Sequence, residues 1–314
     1  MSAVLLNVLT IFSMVLIGYI ACKKDVLPFA ANDYFVKMLL SICIPCMIIS
    51  SMSTKELDAD TLDQVLQMTI GSALYFVLGA VISYFIVKLF RCRPKEDQGV
   101  LMVLLTSINS GFMGFPITKA IFGDECLFMM VLNNSVMTFY LYSILLMQLH
   151  VGEKQSHLSL KERFKPMCNA CMYASIAGFI ILFAQIRLPQ TIINLTDLIG
   201  AATTPISMFV VGIQLSQSNF RAVIKNRTLL MMSLASVIVM PLLTLLAIHW
   251  LPLNSTVKAS LVFAVAFPTA VISVALAATE KKNAGLMAEG VALTTLFSMV
   301  TLPVWAMILL NLYF

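Results

Sequence analysis

Charge is what this chain has least of. Only 11% of its 314 residues are Asp, Glu, Lys or Arg, against about one-quarter in a soluble globular domain. With 60% hydrophobic residues and a mean hydropathy of +0.95, that scarcity excludes an ordinary soluble protein and puts the chain in a membrane. Histidine is rarer still. His150, His157 and His249 stand at span ends or in loops, without the spacing of a metal site. Basic residues are missing ahead of the first apolar run, and Lys23 and Lys24 follow it. A cleaved signal peptide has the opposite order, so residues 1–22 read as a retained span. A Gly-rich phosphate-binding loop is lacking, which disfavours an ATP-driven pump. A membrane aspartyl protease needs two Asp inside spans, and only Asp197 qualifies. No basic stripe suggests nucleic acid. Of seven cysteines, the C-x-x-C pairs Cys43/Cys46 and Cys168/Cys171 have no histidine cluster beside them. They read as small buried hydrophobes at helical i, i+3 spacing rather than as a zinc site.

What the chain has is apolar runs of the length a bilayer asks for, about 20 residues each. They lie near 3–22, 33–53, 64–90, 100–121, 126–150, 167–187, 192–215, 229–251, 258–279 and 284–313. The reading is therefore an all-α membrane protein of ten transmembrane helices. The break between the fourth and fifth rests on the short string FGDEC at 122–126.

Orientation follows from where Lys and Arg fall. The odd-numbered connections hold fourteen: Lys23, Lys24, Arg91, Arg93, Lys95, Lys154, Lys161, Arg163, Lys165, Arg221, Lys225, Arg227, Lys281 and Lys282. The even-numbered ones hold Lys55, Arg187 and Lys258, with Lys119 nearby. Odd loops are then cytoplasmic and both termini face outward, in a multi-pass protein of a prokaryotic plasma (inner) membrane.

The longest polar connection, HVGEKQSHLSLKERFKP, divides the chain into residues 1–157 and 158–314. Gly18 and Gly178 are 160 residues apart, as are Pro45 and Pro205; Pro28 and Pro189 differ by 161, and Pro94 and Pro252 by 158. Four helix-altering residues near one offset indicate two related halves. Each half has five spans, an odd number, so the second enters the membrane inverted. Inverted repeats are a recurring plan of secondary transporters, with the site at the midplane.

The same offset sets INSGFMGFPIT at 108–118 opposite FAVAFPTAVISVALA at 263–277. Glycine, asparagine and proline loosen helices, and irregular backbone at bilayer depth is tolerated only where protein or a wet cavity covers it. Spans four and nine are thus expected to be broken and to cross. Pro116 and Pro268 would each begin a second half-helix, whose free N–H groups and partial positive charge suit an anion. The expected substrate site comprises Asn109, Ser110, Gly111, Gly114, Pro116, Phe267, Pro268, Thr269 and Ser273, with Asn133 and Asn134 of span five. Gly111 and Gly114 would let a substrate or a neighbouring backbone come close. Two kinked helices packed through small residues would use the same text.

The string NSGFMGFP, with the ten spans, the outward termini and the second proline break, resembles the auxin efflux carrier family in its bacterial permease branch. AFPTAV and FVVGIQLS at 209–216 add weaker likeness. The long cytoplasmic loop of many plant members is absent. The resemblance implies carboxylate transport by an elevator-like motion, with a core of spans 3–5 and 8–10 moving against a scaffold of spans 1, 2, 6 and 7. It also implies a homodimer through that scaffold.

Ionisable groups inside the runs are few. Lys37 is expected to snorkel to the cytoplasm, Asp197 to sit in a helix first turn, and Lys119 either to snorkel outward or to attract an anion. Glu289, a turn or more inside span ten, is a candidate coupling group or a cap of that helix. The expectation is a secondary transporter of small organic anions, mono- or dicarboxylates, in a lipid bilayer. It needs no cofactor, with coupling to H+ or Na+ left open. A sodium-coupled symporter of the bile-acid-transporter type and a non-transporting membrane sensor are the alternatives.

Overall fold

The computed structural model describes residues 2–151, 169–217 and 226–314. Among them every regular element is a helix. The helices are α1 Ser2–Lys23, α2 Ala31–Ser53, α3 Ala59–Leu89, α4 Gln98–Thr106, α5 Phe115–Tyr142, α6 Ile144–Leu149, α7 Ala170–Phe183, α8 Gln190–Ser216, α9 Arg227–Ile248, α10 Ser255–Ala266, α11 Ile272–Thr279 and α12 Ala284–Tyr313. Each of the ten apolar runs is helical over most of its described residues. Among the described residues six helical stretches are long and apolar enough to cross a membrane: α2, α3, Lys95–Tyr142, α8, α9 and α12. Val8–Lys23, α7 and α10 are shorter apolar helices. The stretch Lys95–Tyr142 is not one rod. It is interrupted at 107–109 and again at Gly123, whose φ of 80° and ψ of −167° leave the helical region. That second break falls within FGDEC, at the residue type that takes positive φ most cheaply.

The outer face of α3 is apolar along its length. Leu66, Ile70, Leu74, Val77, Leu78, Val81, Phe85 and Leu89 are all exposed at three- to four-residue spacing, a greasy outer stripe. Val65, Met68, Tyr75 and Phe76 face inward on the same helix. Outside the bilayer runs, Asp58 accepts the Thr61 N–H at 2.7 Å where α3 begins. That backbone hydrogen bond holds its carboxyl below the usual carboxylate range.

The chain divides into two compact units: residues 1–68, 111–135 and 168–217, and residues 69–110, 136–167 and 218–314. In the first unit, α1 lies directly on α8. A Cβ on Gly18 would come 2.7 Å from the Phe209 carbonyl oxygen, and one on Gly212 would come 2.2 Å from that of Val15. Only glycine admits so close a backbone approach. Similarly α7 lies on α2, with Gly178 against Met52, and Gly200 of α8 abuts the Met47 backbone.

In the second unit the two half-helices that precede the breaks form the centre. All of α4 from Gly99 to Thr106 is buried, and so is α10 from Ala259 to Ala266. Gly99 admits the carbonyls of Gln148 and Leu149, and Gly290 of α12 receives the Leu104 side chain.

Among the described residues three π-helical turns punctuate the helices, at Leu39–Cys43, Ser110–Gly114 and Ala235–Val239. Each ends two residues before a proline: Pro45, Pro116 and Pro241. A proline has no N–H for the carbonyl four residues back, and its ring collides with that carbonyl in an α-helix. The wider turn makes room. Where Pro241 cannot serve Val237, the Trp305 indole N–H does, at 3.0 Å.

Candidate functional site

Both interruptions are present, and their freed backbone groups are satisfied by one another. In the second unit, α4 stops at Thr106 with Ser107 extended (ψ 121°), and α10 stops at Ala266 with Phe267 extended (ψ 150°). The Asn109 N–H donates to the Pro268 carbonyl at 2.8 Å. The Ser107 and Ser273 hydroxyls share a hydrogen bond of 2.7 Å. The Leu104 carbonyl accepts from the Thr269 hydroxyl at 2.8 Å and from the Ser236 hydroxyl at 3.0 Å. The Thr269 N–H donates to Thr294 Oγ1 of α12 at 3.2 Å. All of these side chains are buried. Two broken helices are thereby held together by backbone and hydroxyl groups, as irregular backbone at such depth requires.

The proline roles differ from the sequence expectation. Pro268 does not begin a half-helix. It lies in the link 267–271, and α11 starts at Ile272. Its carbonyl, not its ring, is the part used, and that partner is far away in sequence. Pro116 stands at the second position of α5, but helical backbone already begins at Ser110 through the π turn.

Asn109, Ser110, Phe267, Pro268, Thr269 and Ser273 belong to the second unit; Gly111, Gly114, Pro116, Asn133 and Asn134 belong to the first. Within the second unit the Ser110 hydroxyl donates to Met137 Sδ at 3.3 Å, and Phe267 stacks edge-on against Phe263. Within the first, Asn134 Oδ1 and Ile44 Cδ1 are each 3.7 Å from where a Gly111 Cβ would stand. No backbone crowds that glycine, so it serves no close helix approach and has room for a methyl group. Asn133 is fully buried, while Asn134 is partly open.

Asp197 and Glu289 are not placed as the sequence suggested. Asp197 is in the second turn from the end of the Gln190–Ala201 segment of α8, not its first turn. Its carboxylate receives the Ser50 hydroxyl at 3.4 Å and lies 4.0 Å from Lys119. Lys119 does not extend freely; it also pairs with Asp124 at 3.3 Å. Glu289 does not cap α12, because the Asn283 side chain accepts the Leu286 N–H there. Glu289 sits half-buried one and a half turns in. Lys37 is exposed, over the Tyr34 ring. His150 pairs with Glu280 at 2.8 Å and His249 approaches the Tyr313 hydroxyl at 3.4 Å. His157, Cys168, Lys154, Lys161, Arg163, Lys165, Arg221 and Lys225 lie outside the described residues, as does the 157/158 boundary. Cys43, Cys46 and Cys171 are free thiols, and no metal-holding cluster occurs among the described residues.

One polar network was not read from the sequence. The Tyr140 hydroxyl donates toward Thr106 and Gln148, and Gln148 Nε2 donates to the Ser83 hydroxyl at 3.1 Å, all buried in the second unit. It braces the end of α4 just before the break. The available signal was Gln148, an amide in the otherwise apolar LYSILLMQL.

A family model described as membrane transport protein matches residues 3–306. An uncharacterized transporter of Methanothermobacter thermautotrophicus is 25% identical over 309 residues, covering 96% of this chain and 97% of that protein. An uncharacterized transporter of Methanocaldococcus jannaschii is 22% identical over 97% of this chain and 98% of its own length. The uncharacterized transporter YfdV of Escherichia coli is 23% identical, over 95% of each.

Proposed function

Because the chain belongs to the membrane transport protein family, that of the auxin efflux carriers, we propose that it is a secondary transporter of small organic anions, mono- or dicarboxylates. Family membership makes it a transporter and not an enzyme. The observation that carries the finer reading is the pair of interrupted apolar helices bonded break to break, Asn109 N–H to Pro268 carbonyl at 2.8 Å. Such breaks set helix ends and small polar side chains deep in the protein, where an anion would be held by partial charges of roughly half a unit and by a few hydrogen bonds exchanged for those between the breaks. No Lys or Arg lies at 109–116 or 267–273, so binding is weak, roughly micromolar to millimolar, as suits a carrier that must release its cargo.

The architecture proposed is ten spans in two inverted repeats, with the turn at Gly123 separating the fourth from the fifth. The glycine contacts support it. Gly18 faces Phe209, and Gly178, 160 residues later, faces Ile48 and Met52; the same offset carries Phe209 back to Ile49. Both termini are outside a plasma membrane. Transport is elevator-like, with spans 3–5 and 8–10 carrying substrate as one body. Spans 1, 2, 6 and 7 form the scaffold and the homodimer contact. Most of spans 3, 8, 9 and 10 and the first half of span 4 do group in one compact unit, while residues 111–135 of spans 4 and 5 group with spans 1, 2, 6 and 7. Glu289 is the proposed coupling carboxyl, since among the described residues no ion pair engages it.

Counterflow of a labelled carboxylate in proteoliposomes tests the reading. Uptake against preloaded unlabelled acid is expected. Binding without counterflow makes the protein a sensor, and strict sodium dependence makes it a symporter of the other type.

A further inference from the structure

Thr269 uses both of its donors to tie down the second break, and the two ties are unequal. Its hydroxyl donates to the Leu104 carbonyl of α4 at 2.8 Å, and its N–H donates to Thr294 Oγ1 of α12 at 3.2 Å. The N–H bond is longer than those made there by Asn109, Ser107, Ser236 and the Thr269 hydroxyl, which run from 2.7 to 3.0 Å. All of these residues belong to the second unit.

Thr294 is a hydroxyl whose proton is already committed. Its Oγ1 donates back to the carbonyls of Gly290 and Val291, each at 3.0 Å. Toward Thr269 it therefore acts only as an acceptor. Both threonines are fully buried, and Gly290 receives the Leu104 side chain beside them. Packing thus keeps this turn of α12 against α4 whether or not the Thr269 N–H is engaged.

The contacts at the break differ in what their loss leaves behind. Parting the Asn109 N–H from Pro268 removes the backbone bond between the two breaks. Drawing the Thr269 hydroxyl away takes one of the two hydroxyl donors of the Leu104 carbonyl. Drawing the Thr269 N–H from Thr294 orphans nothing, because the hydroxyl keeps its backbone carbonyls and an arriving anion accepts the freed N–H. The next link amides, those of Ala270 and Val271, have no hydrogen-bond partner among the described residues. Exposure rises from buried Ala270 to half-buried Val271. A carboxylate arriving from that end meets two open amides and a third that one hydroxyl withholds.

We propose, resting on the carboxylate reading of the breaks, that Thr294 is a positioning residue of the substrate site: its hydroxyl holds the Thr269 N–H until the cargo takes that amide from it. Thr294 lowers affinity, since each binding event breaks its bond. It also speeds release, since its hydroxyl stands ready to take the amide back.

Thr294→Val keeps the shape of the side chain and removes the acceptor, so it predicts a gain. Acetate and succinate are the probes, titrated into purified full-length protein by calorimetry and followed as labelled acids in proteoliposome counterflow. With the Thr269 amide unpartnered until the acid arrives, Thr294→Val should bind it about fivefold tighter, the worth of one such hydrogen bond. Its counterflow should show a lower half-saturating concentration together with a lower maximal rate. Thr294→Ser restores the acceptor and should return both to wild-type values. A gain of affinity cannot come from misfolding. If the wild type exchanges the acid but Thr294→Val binds it equally or more weakly, the hydroxyl does not guard the amide. The same follows if Thr294→Ser behaves like Thr294→Val. If neither the wild type nor any variant binds either acid, the carboxylate reading fails, and this role for Thr294 with it.

Discussion

The Leu104 carbonyl offers a sharp test of how the broken helices are held. It belongs to the last turn of α4, where no intrahelical donor is left, and it accepts from both Thr269 at 2.8 Å and Ser236 at 3.0 Å. Thr269→Val removes one donor and Ser236→Ala the other. After either single change the carbonyl still has a partner, so each should cost about 0.5–1 kcal/mol, the range of a hydrogen bond within a membrane bundle. After both changes a fully buried carbonyl has lost both hydroxyl donors, and an orphaned acceptor costs about 1–3 kcal/mol more. The double variant should therefore exceed the sum of the singles by at least about 1 kcal/mol, or roughly 2 °C in melting temperature for a chain of this size. Unfolding in mixed detergent micelles, followed by tryptophan fluorescence, reads this out well. Trp305 is 6% exposed and bonded within the same unit, while Trp250 is already 86% exposed. Strict additivity would refute the reasoning, since it would mean that the two hydroxyls do not share one acceptor.

Asn109→Ala should abolish binding of the transported acid while leaving the protein inserted and monodisperse; retained affinity in a binding titration would move the site away from the breaks. Cysteines introduced at Ser2 and Asn311 in a cysteine-free background should react with impermeant thiol reagents from outside, and one at Ser159 should not, with reversed labelling overturning the proposed orientation. Lys119→Ala should weaken binding of the acid less than about tenfold, or 1.4 kcal/mol, and the neutral amide of that acid should not compete. Loss of all binding in that variant, or equal competition by the amide, would rule out recognition by helix ends.

The helices were legible because a bilayer imposes their length and their apolar composition, and Gly, Asn and Pro at 109–116 marked the first interruption. The role of Pro268 was not legible. A missing N–H is as compatible with an extended link as with the first turn of a helix, and what decides is an amide 159 positions away. Asp197 and Lys119 are 78 residues apart, and nothing in either local sequence signals that they meet. The π turns left a mark, a proline two residues after each, but the carbonyl that such a proline abandons finds its donor at long range, as Val237 does with Trp305. Hydroxyls such as Thr269 and Ser236 read as ordinary small residues until the backbone group they serve is known.

The glycine faces of α1 and α8 also set a timetable. Gly18 is fitted to backbone that lies about 190 residues further along the chain. At roughly 5–20 residues per second of synthesis, the amino-terminal helix waits on the order of 10–40 seconds before its partner has been made. Throughout that interval its notch can hold only lipid. A helix with no charged side chain before Lys23 can wait in hydrocarbon without a companion, and the last step of its docking needs no side chain to move aside.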